Sequence, residues 1–135
     1  MADQDTSRTK ALLRQYRDME WNASNAKEII RECDEMMTSM RGFSSSTPVQ
    51  GGGNGREEMM VRCIDRKAKV EYALAYMSMM DGAISRLTDA ERELIMDFWV
   101  DRYGIRWVCR KTHVGRSRAY ELCDNALRHL DQILF

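Results

Sequence analysis

An all-α fold is predicted by three features of this chain. Its 135 residues contain a single proline and 11 methionines, a usage that leaves helices uninterrupted and favours them over strands. No segment sustains the two-residue alternation of valine, isoleucine or aromatic side chains that a half-buried strand requires. From Leu12 onward an apolar or small residue instead recurs in four-three alternation, at Leu12, Tyr16, Met19, Ala23, Ala26, Ile30, Cys33, Met37 and Met40. That is the seam of a helix packed lengthwise on another helix.

The seam predicts one helix from about Ser7 to Arg41, within a first segment of residues 1–41. At 1.5 Å per residue it would be about 50 Å long. Methionine, cysteine and alanine in place of isoleucine and leucine make this seam adaptable rather than sharply specified. Residues 42–55, GFSSSTPVQGGGNG, hold the only proline, five glycines and three serines. They predict a flexible linker loop that spans about 20 Å. Its GGGNG stretch does not follow a strand, so it is linker rather than phosphate cradle.

A second helix is predicted over residues 56–85, with Met60, Cys63, Val70, Leu74, Met77 and Ile84 on its seam, and with Lys67 and Asp81 interrupting the same register. Two long helices joined by a slack loop form a coiled-coil-like hairpin, although the same seams serve a second copy of the chain equally well. Oligomerisation through these helices is compatible with either arrangement.

The last segment, residues 86–135, opens on the sharpest boundary in the chain. Thr88 is placed as an N-cap and Glu91, three residues later, completes a capping box. Leu94, Ile95, Phe98 and Trp99 then form an apolar stripe. After Tyr103 and Gly104 comes a short helix, IRWVCRK, then THVG, and then a helix from about Arg116 to Leu134 whose Ala119, Leu122, Cys123, Ala126, Leu130 and Ile133 share one face. A short helix, a tight turn and a longer helix follow the helix-turn-helix plan.

Composition narrows the function. At 44% hydrophobic and 31% charged residues the chain has the make-up of one folded domain, or a small module with an appendage. No apolar run reaches the roughly 18 residues of a membrane span. The start MADQDTSRTK lacks a secretory apolar core, so the expectation is a cytoplasmic protein without a membrane partner.

Cys33, Cys63, Cys109 and Cys123 form no C-x-x-C pair, which argues against a disulfide framework and a zinc knuckle. Cys109, His113, Cys123 and His129 match no standard metal-site spacing, and the cysteines are expected as small core residues. No nucleophile with its base and no carboxylate cluster is recognisable, so neither an enzyme nor a cofactor is expected.

What stands out is charge. Basic and acidic residues cancel at 21 each, yet the 19 positions from Arg102 to Tyr120 carry six Arg or Lys and no Asp or Glu. Such a concentration favours an anionic partner, and its coincidence with a helix-turn-helix makes that partner double-stranded DNA. The first turn of the last helix, with Arg116, Ser117 and Arg118, is the part that enters a major groove. Arginine grips guanine through two hydrogen bonds there. Arg102, Arg106, Arg110 and Lys111 are placed for phosphates, which fix register without selecting sequence. Trp99, Trp107 and Tyr103 are expected in core and turn packing, and Trp21, off the seam, at the surface.

The stretches LTDAERELI, VGRSRAY and ALRHL within Leu87–Leu130 resemble region 4 of bacterial sigma factors, the module that reads the upstream promoter element. With the long N-terminal helices and loop, the chain resembles phage transcriptional regulators of the RinA and ArpU type, over the first 86 residues in general layout only. The resemblance implies base-reading or near-base positions at Arg116, Ser117, Arg118, Tyr120 and Glu121, activation of late phage genes, and the cytoplasm of a bacterial host. The chain departs from the pattern at His113, where a turn glycine is usual, and at Gly115, where a serine or threonine cap is usual.

Two other readings fit the same layout. One is a sigma-like adapter that grips RNA polymerase or a sigma factor without reading DNA. The other is a small terminase subunit, which normally places its DNA-binding part first.

Overall fold

The computed structural model describes residues 4–44 and 53–135, and every regular element among them is helical. In order these are α1 (Ser7–Arg14), α2 (Tyr16–Ser24), α3 (Ala26–Ser44), α4 (Gly53–Ser85), α5 (Asp89–Leu94) with a π-helical continuation Ile95–Val100, α6 (Ile105–Thr112) and α7 (Arg116–Leu134). Most of the linker predicted over residues 42–55 lies outside the described residues.

The single helix predicted from Ser7 to Arg41 is instead three. At Gln15 the backbone tightens, its N–H bonding to the carbonyl of Leu12 at 3.1 Å, three residues back rather than four. At Asn25 the side-chain amide donates to the Trp21 carbonyl at 2.8 Å, in competition with the Asn25 backbone N–H at 3.1 Å. This local side-chain bond is why asparagine is unfavourable inside helices. The N–H of Ile29 then bonds to the Asn25 carbonyl at 3.0 Å, and the helix resumes.

The chain forms two compact units, Met1–Asp18 with Met77–Phe135, and Met19–Tyr76. In the second, Ala26, Ile29 and Cys33 of α3 pack on Cys63 and Val70 of α4, with Ile30, Met36 and Met37 against them. Ion pairs flank this seam: Arg66 with Glu32 at 3.4 Å, and Lys67 with Asp34. The Arg56 guanidinium donates to the Met40 carbonyl. Rising numbers on α3 therefore meet falling numbers on α4.

Along α4 one line of the predicted seam is displaced. Cys63, Val70 and Ile84 are buried as expected, but Met60 and Leu74 are 40% and 46% exposed. The second line runs one residue earlier, through buried Ala73 and Met80. The shift takes Asp81 out of the seam, where a carboxylate would be costly to bury, and it accepts a hydrogen bond from the Tyr16 hydroxyl at 2.7 Å.

The first unit takes in the start of the chain, whereas the sequence suggested a boundary at residue 86. Thr9, fully buried on α1, donates to the Asp131 carboxylate of α7 at 2.6 Å, and Gln4 donates to its other oxygen at 2.7 Å. Arg17 forks onto Asp101 with two bonds of 2.7 and 2.8 Å, which hold that carboxyl below the usual range. The Arg8 guanidinium lies 4.1 Å from the ring centre of Phe135. Leu13, Tyr16, Met80, Ile95, Val108, Ala119, Cys123, Leu127 and Leu130 are buried in this unit. Among the described residues no helix is long and apolar enough to cross a membrane.

Candidate nucleic-acid interface

The boundary at Thr88 is a full capping box. The Thr88 hydroxyl oxygen accepts from the Glu91 N–H at 3.2 Å, and Glu91 Oε1 accepts from the Thr88 N–H at 3.1 Å. Sequence reasoning missed a second partner, since Glu91 Oε2 also lies 2.9 Å from His129 Nδ1 on α7. Burial pushes the Glu91 carboxyl up, but the Thr88 N–H and His129 together hold it below the usual value of 4.5.

A carboxyl whose pKa falls on folding gives stability that is complete above its unfolded pKa and lost as pH falls through its folded one. Acid unfolding is therefore expected to begin below about pH 4.5. Glu91→Gln should flatten the loss of melting temperature on acidification. An unchanged acid slope in that variant would remove Glu91 from this role.

Beyond Leu94 the stripe Ile95, Phe98, Trp99 continues, but on a π-helical turn that the periodicity did not foretell. The Asp101 N–H bonds to Met96 O at 2.8 Å, five residues back, and Arg102 then adopts a left-handed φ of 58°. The wider turn sets Trp99 so that its indole N–H donates to the Cys123 carbonyl at 3.0 Å, and Phe98 stands edge-on to Tyr120 with ring centres 6.2 Å apart.

Helix α6 inserts Ile105 and Val108 into the core, which leaves Arg106, Trp107, Arg110 and Lys111 outside. His113 ends it in the left-handed conformation, φ 58° and ψ 38°, with its N–H on the Cys109 carbonyl at 2.9 Å. Histidine thus takes the place where glycine is usual, a conformation it enters more readily than most side chains. Gly115 caps α7 in an extended conformation, φ −71° and ψ 167°, without a side-chain acceptor.

A Cβ at Gly115 meets nothing within 4 Å. Gly115→Ser is accordingly expected to raise stability by a few tenths to about 1 kcal/mol, measured by urea denaturation. A loss would mean that the hydroxyl does not reach the free N–H groups of the first turn.

Of the expected base-reading residues, Arg116, Ser117, Arg118, Tyr120 and Glu121 are all exposed on α7. They are not equivalent. Arg118 is tied to Glu121 at 3.1 Å, and the Tyr120 ring leans on Phe98 while remaining 45% exposed. Of the expected phosphate contacts, Arg102, Arg106 and Arg110 are exposed, and Arg106 and Arg110, like Arg116, form no ion pair among the described residues.

Lys111 differs. It bonds to Asp97 at 2.7 Å and lies 3.7 Å from Glu93, and the Asp97 carboxylate holds its ammonium above the usual range. Neither carboxylate falls within the run Arg102–Tyr120, so this neutralisation was invisible in the local charge pattern.

Trp107 also departs from the expected packing. It is 46% exposed beside Tyr103, 47% exposed, with ring centres 5.2 Å apart. Cys33, Cys63 and Cys123 are buried core residues, and burial pushes the Cys123 thiol up to about 11. Among the described residues no three His, Cys, Asp or Glu side chains are placed to hold a metal ion. No protein-family model, curated protein or solved structure matches this chain.

Proposed function

We propose that this chain is a sequence-specific DNA-binding transcriptional regulator whose α6 and α7 act as a helix-turn-helix, with α7 in the major groove. The observation that carries the reading is the placement of Arg116, Ser117 and Arg118. All three are exposed on the first turn of a 19-residue helix, directly after a left-handed turn. That end of a recognition helix approaches base edges most closely, and its free N–H groups favour phosphate.

Arg106 and Arg110 on the outward side of α6 supply the flanking positive charge that fixes register on the backbone. The resemblance to sigma factor region 4 and to phage regulators of the RinA and ArpU type extends the reading to a promoter of late phage genes, with activation as the outcome. Selection of bound sequences from a random duplex pool tests it. One enriched motif is expected, and a pool that stays unenriched would refute sequence-specific binding.

A second reading has an observation of its own. The exposed Trp107 and Tyr103 pair suits a protein surface better than a phosphate backbone, since aromatic side chains are enriched in the cores of protein interfaces. In a sigma-like adapter this pair would contact RNA polymerase or a sigma factor. Trp107→Ala would then abolish capture of polymerase and leave DNA affinity untouched, whereas in the first reading the Arg116→Ala, Arg118→Ala variant loses DNA affinity.

A further inference from the structure

Helix α4 carries a second apolar line on the side away from α3. Val61 and Ile64 are each 55% exposed and Tyr72 53%, and Ala68 and Ala75 are exposed with them. At 100° per residue these five fall within about 40° of the helix direction through Ala68, and the line is about 21 Å long. Isolated apolar residues at a surface require no account, but a continuous helical stripe marks an interaction face.

We propose that this stripe pairs two copies of the chain, α4 against α4, antiparallel about a two-fold axis at Ala68. The charges that border the stripe favour this partner. Around Ala68 the sequence reads Asp65, Arg66, Lys67, Ala68, Lys69, Val70, Glu71. On the helical wheel Asp65 and Lys69 border one side of the stripe, and Lys67 and Glu71 the other.

A two-fold axis through Ala68 brings Asp65 of each copy beside Lys69 of the other, and Glu71 beside Lys67. Each flank then holds opposite charges at every crossing. Asp65 and Lys69 have no ion-pair partner of their own among the described residues, whereas Lys67 already meets Asp34. Layers match as well: Ala68 on Ala68 lets the backbones approach, Ile64 meets Tyr72, and Val61 meets Ala75. A parallel pairing would instead bring Glu57 and Glu58 of both copies together at the start of the stripe, where like charges repel.

One helix from each copy gives an interface below about 1,200 Å², in the range of weak encounters. Dissociation is therefore expected at micromolar concentrations. The pairing is independent of the nucleic-acid reading and stands or falls without it.

Sedimentation equilibrium of the full chain, from about 1 μM to 1 mM, tests it directly. A reversible monomer–dimer equilibrium is expected, lost in Ile64→Lys, whose helical circular dichroism should match wild type because the side chain is exposed. Asp65→Lys and Lys69→Glu should each weaken dimerisation about three- to tenfold. The double variant should restore it, since the swapped charges meet again. A chain that stays monomeric, a dimer indifferent to Ile64→Lys, an assembly larger than two, or a double variant weaker than both singles would each overturn the pairing. The last result is what a parallel arrangement gives.

Discussion

Replacing Arg116 and Arg118 together by alanine is expected to remove sequence-specific DNA binding while leaving the fold intact. Each arginine that grips a guanine contributes about 1 to 3 kcal/mol of discrimination. The pair therefore separates the selected site from unrelated duplex by roughly 30-fold to about 20,000-fold. The bond from Arg118 to Glu121 competes with this, but it is an exposed i,i+3 contact at 3.1 Å with both side chains more than half exposed. Such pairs contribute about 0.2 to 1 kcal/mol, less than a desolvated bidentate contact to guanine.

Arg110→Ala should behave differently. It removes a phosphate contact, lowers affinity for all sequences alike, and reduces the salt-dependence slope by about 0.9. Lys111→Ala should weaken all sequences in the same way but by less, because its ammonium must leave Asp97 to reach a phosphate. If the double arginine variant and Arg110→Ala lost affinity equally on every sequence, the division between base and phosphate contacts would be wrong.

The largest stability change is expected from Leu130→Ala. Leu130 is fully buried on the inner face of α7, and truncation of such a side chain costs about 2 to 5 kcal/mol through lost burial and the cavity it leaves. For a domain whose whole stability is about 5 to 15 kcal/mol, that is about an eighth of it at the least and most of it at the upper end. The neighbouring Asp131→Ala acts through a different term. It leaves the hydroxyl of fully buried Thr9 without its acceptor, an omission worth about 1 to 3 kcal/mol.

Trp21→Ala, by contrast, should change little, since this indole is 62% exposed. Urea denaturation of the three variants checks the order. A cost below about 1 kcal/mol for Leu130→Ala would mean that the inner face of α7 is not the core of its unit.

The helical character of the chain was legible because it rests on composition and period, which act locally. So did the capping box at Thr88 and Glu91, where both partners lie within one turn. What the sequence left hidden depends on residues far apart in the chain. The partners of Asp131, at Thr9 and Gln4, lie more than 120 positions away, and nothing in the heptad pattern distinguishes a first turn that joins α7 from one that continues a hairpin.

The displaced line on α4 has a similar origin. Leu74 and Ala73 both satisfy an apolar pattern, and only the three-dimensional neighbours choose the smaller one for burial. In the candidate interface, the exposure of Ser117 and Arg118 followed from the amphipathic period of α7, whereas Arg116, in register with buried Ala119 and Cys123, is exposed as the first residue of the helix. The tie of Lys111 to Asp97 did not, because it joins two helices across the π-helical turn.

The most direct measurement for the DNA-binding proposal is the affinity of the wild-type protein for its selected duplex and for a scrambled duplex of equal length and composition, by fluorescence anisotropy at one fixed salt concentration. A site reader is expected to prefer the selected duplex by about a thousandfold or more. Equal affinity for the two would show that the arginines on α6 and α7 hold only the phosphate backbone, and would contradict sequence-specific regulation by this chain.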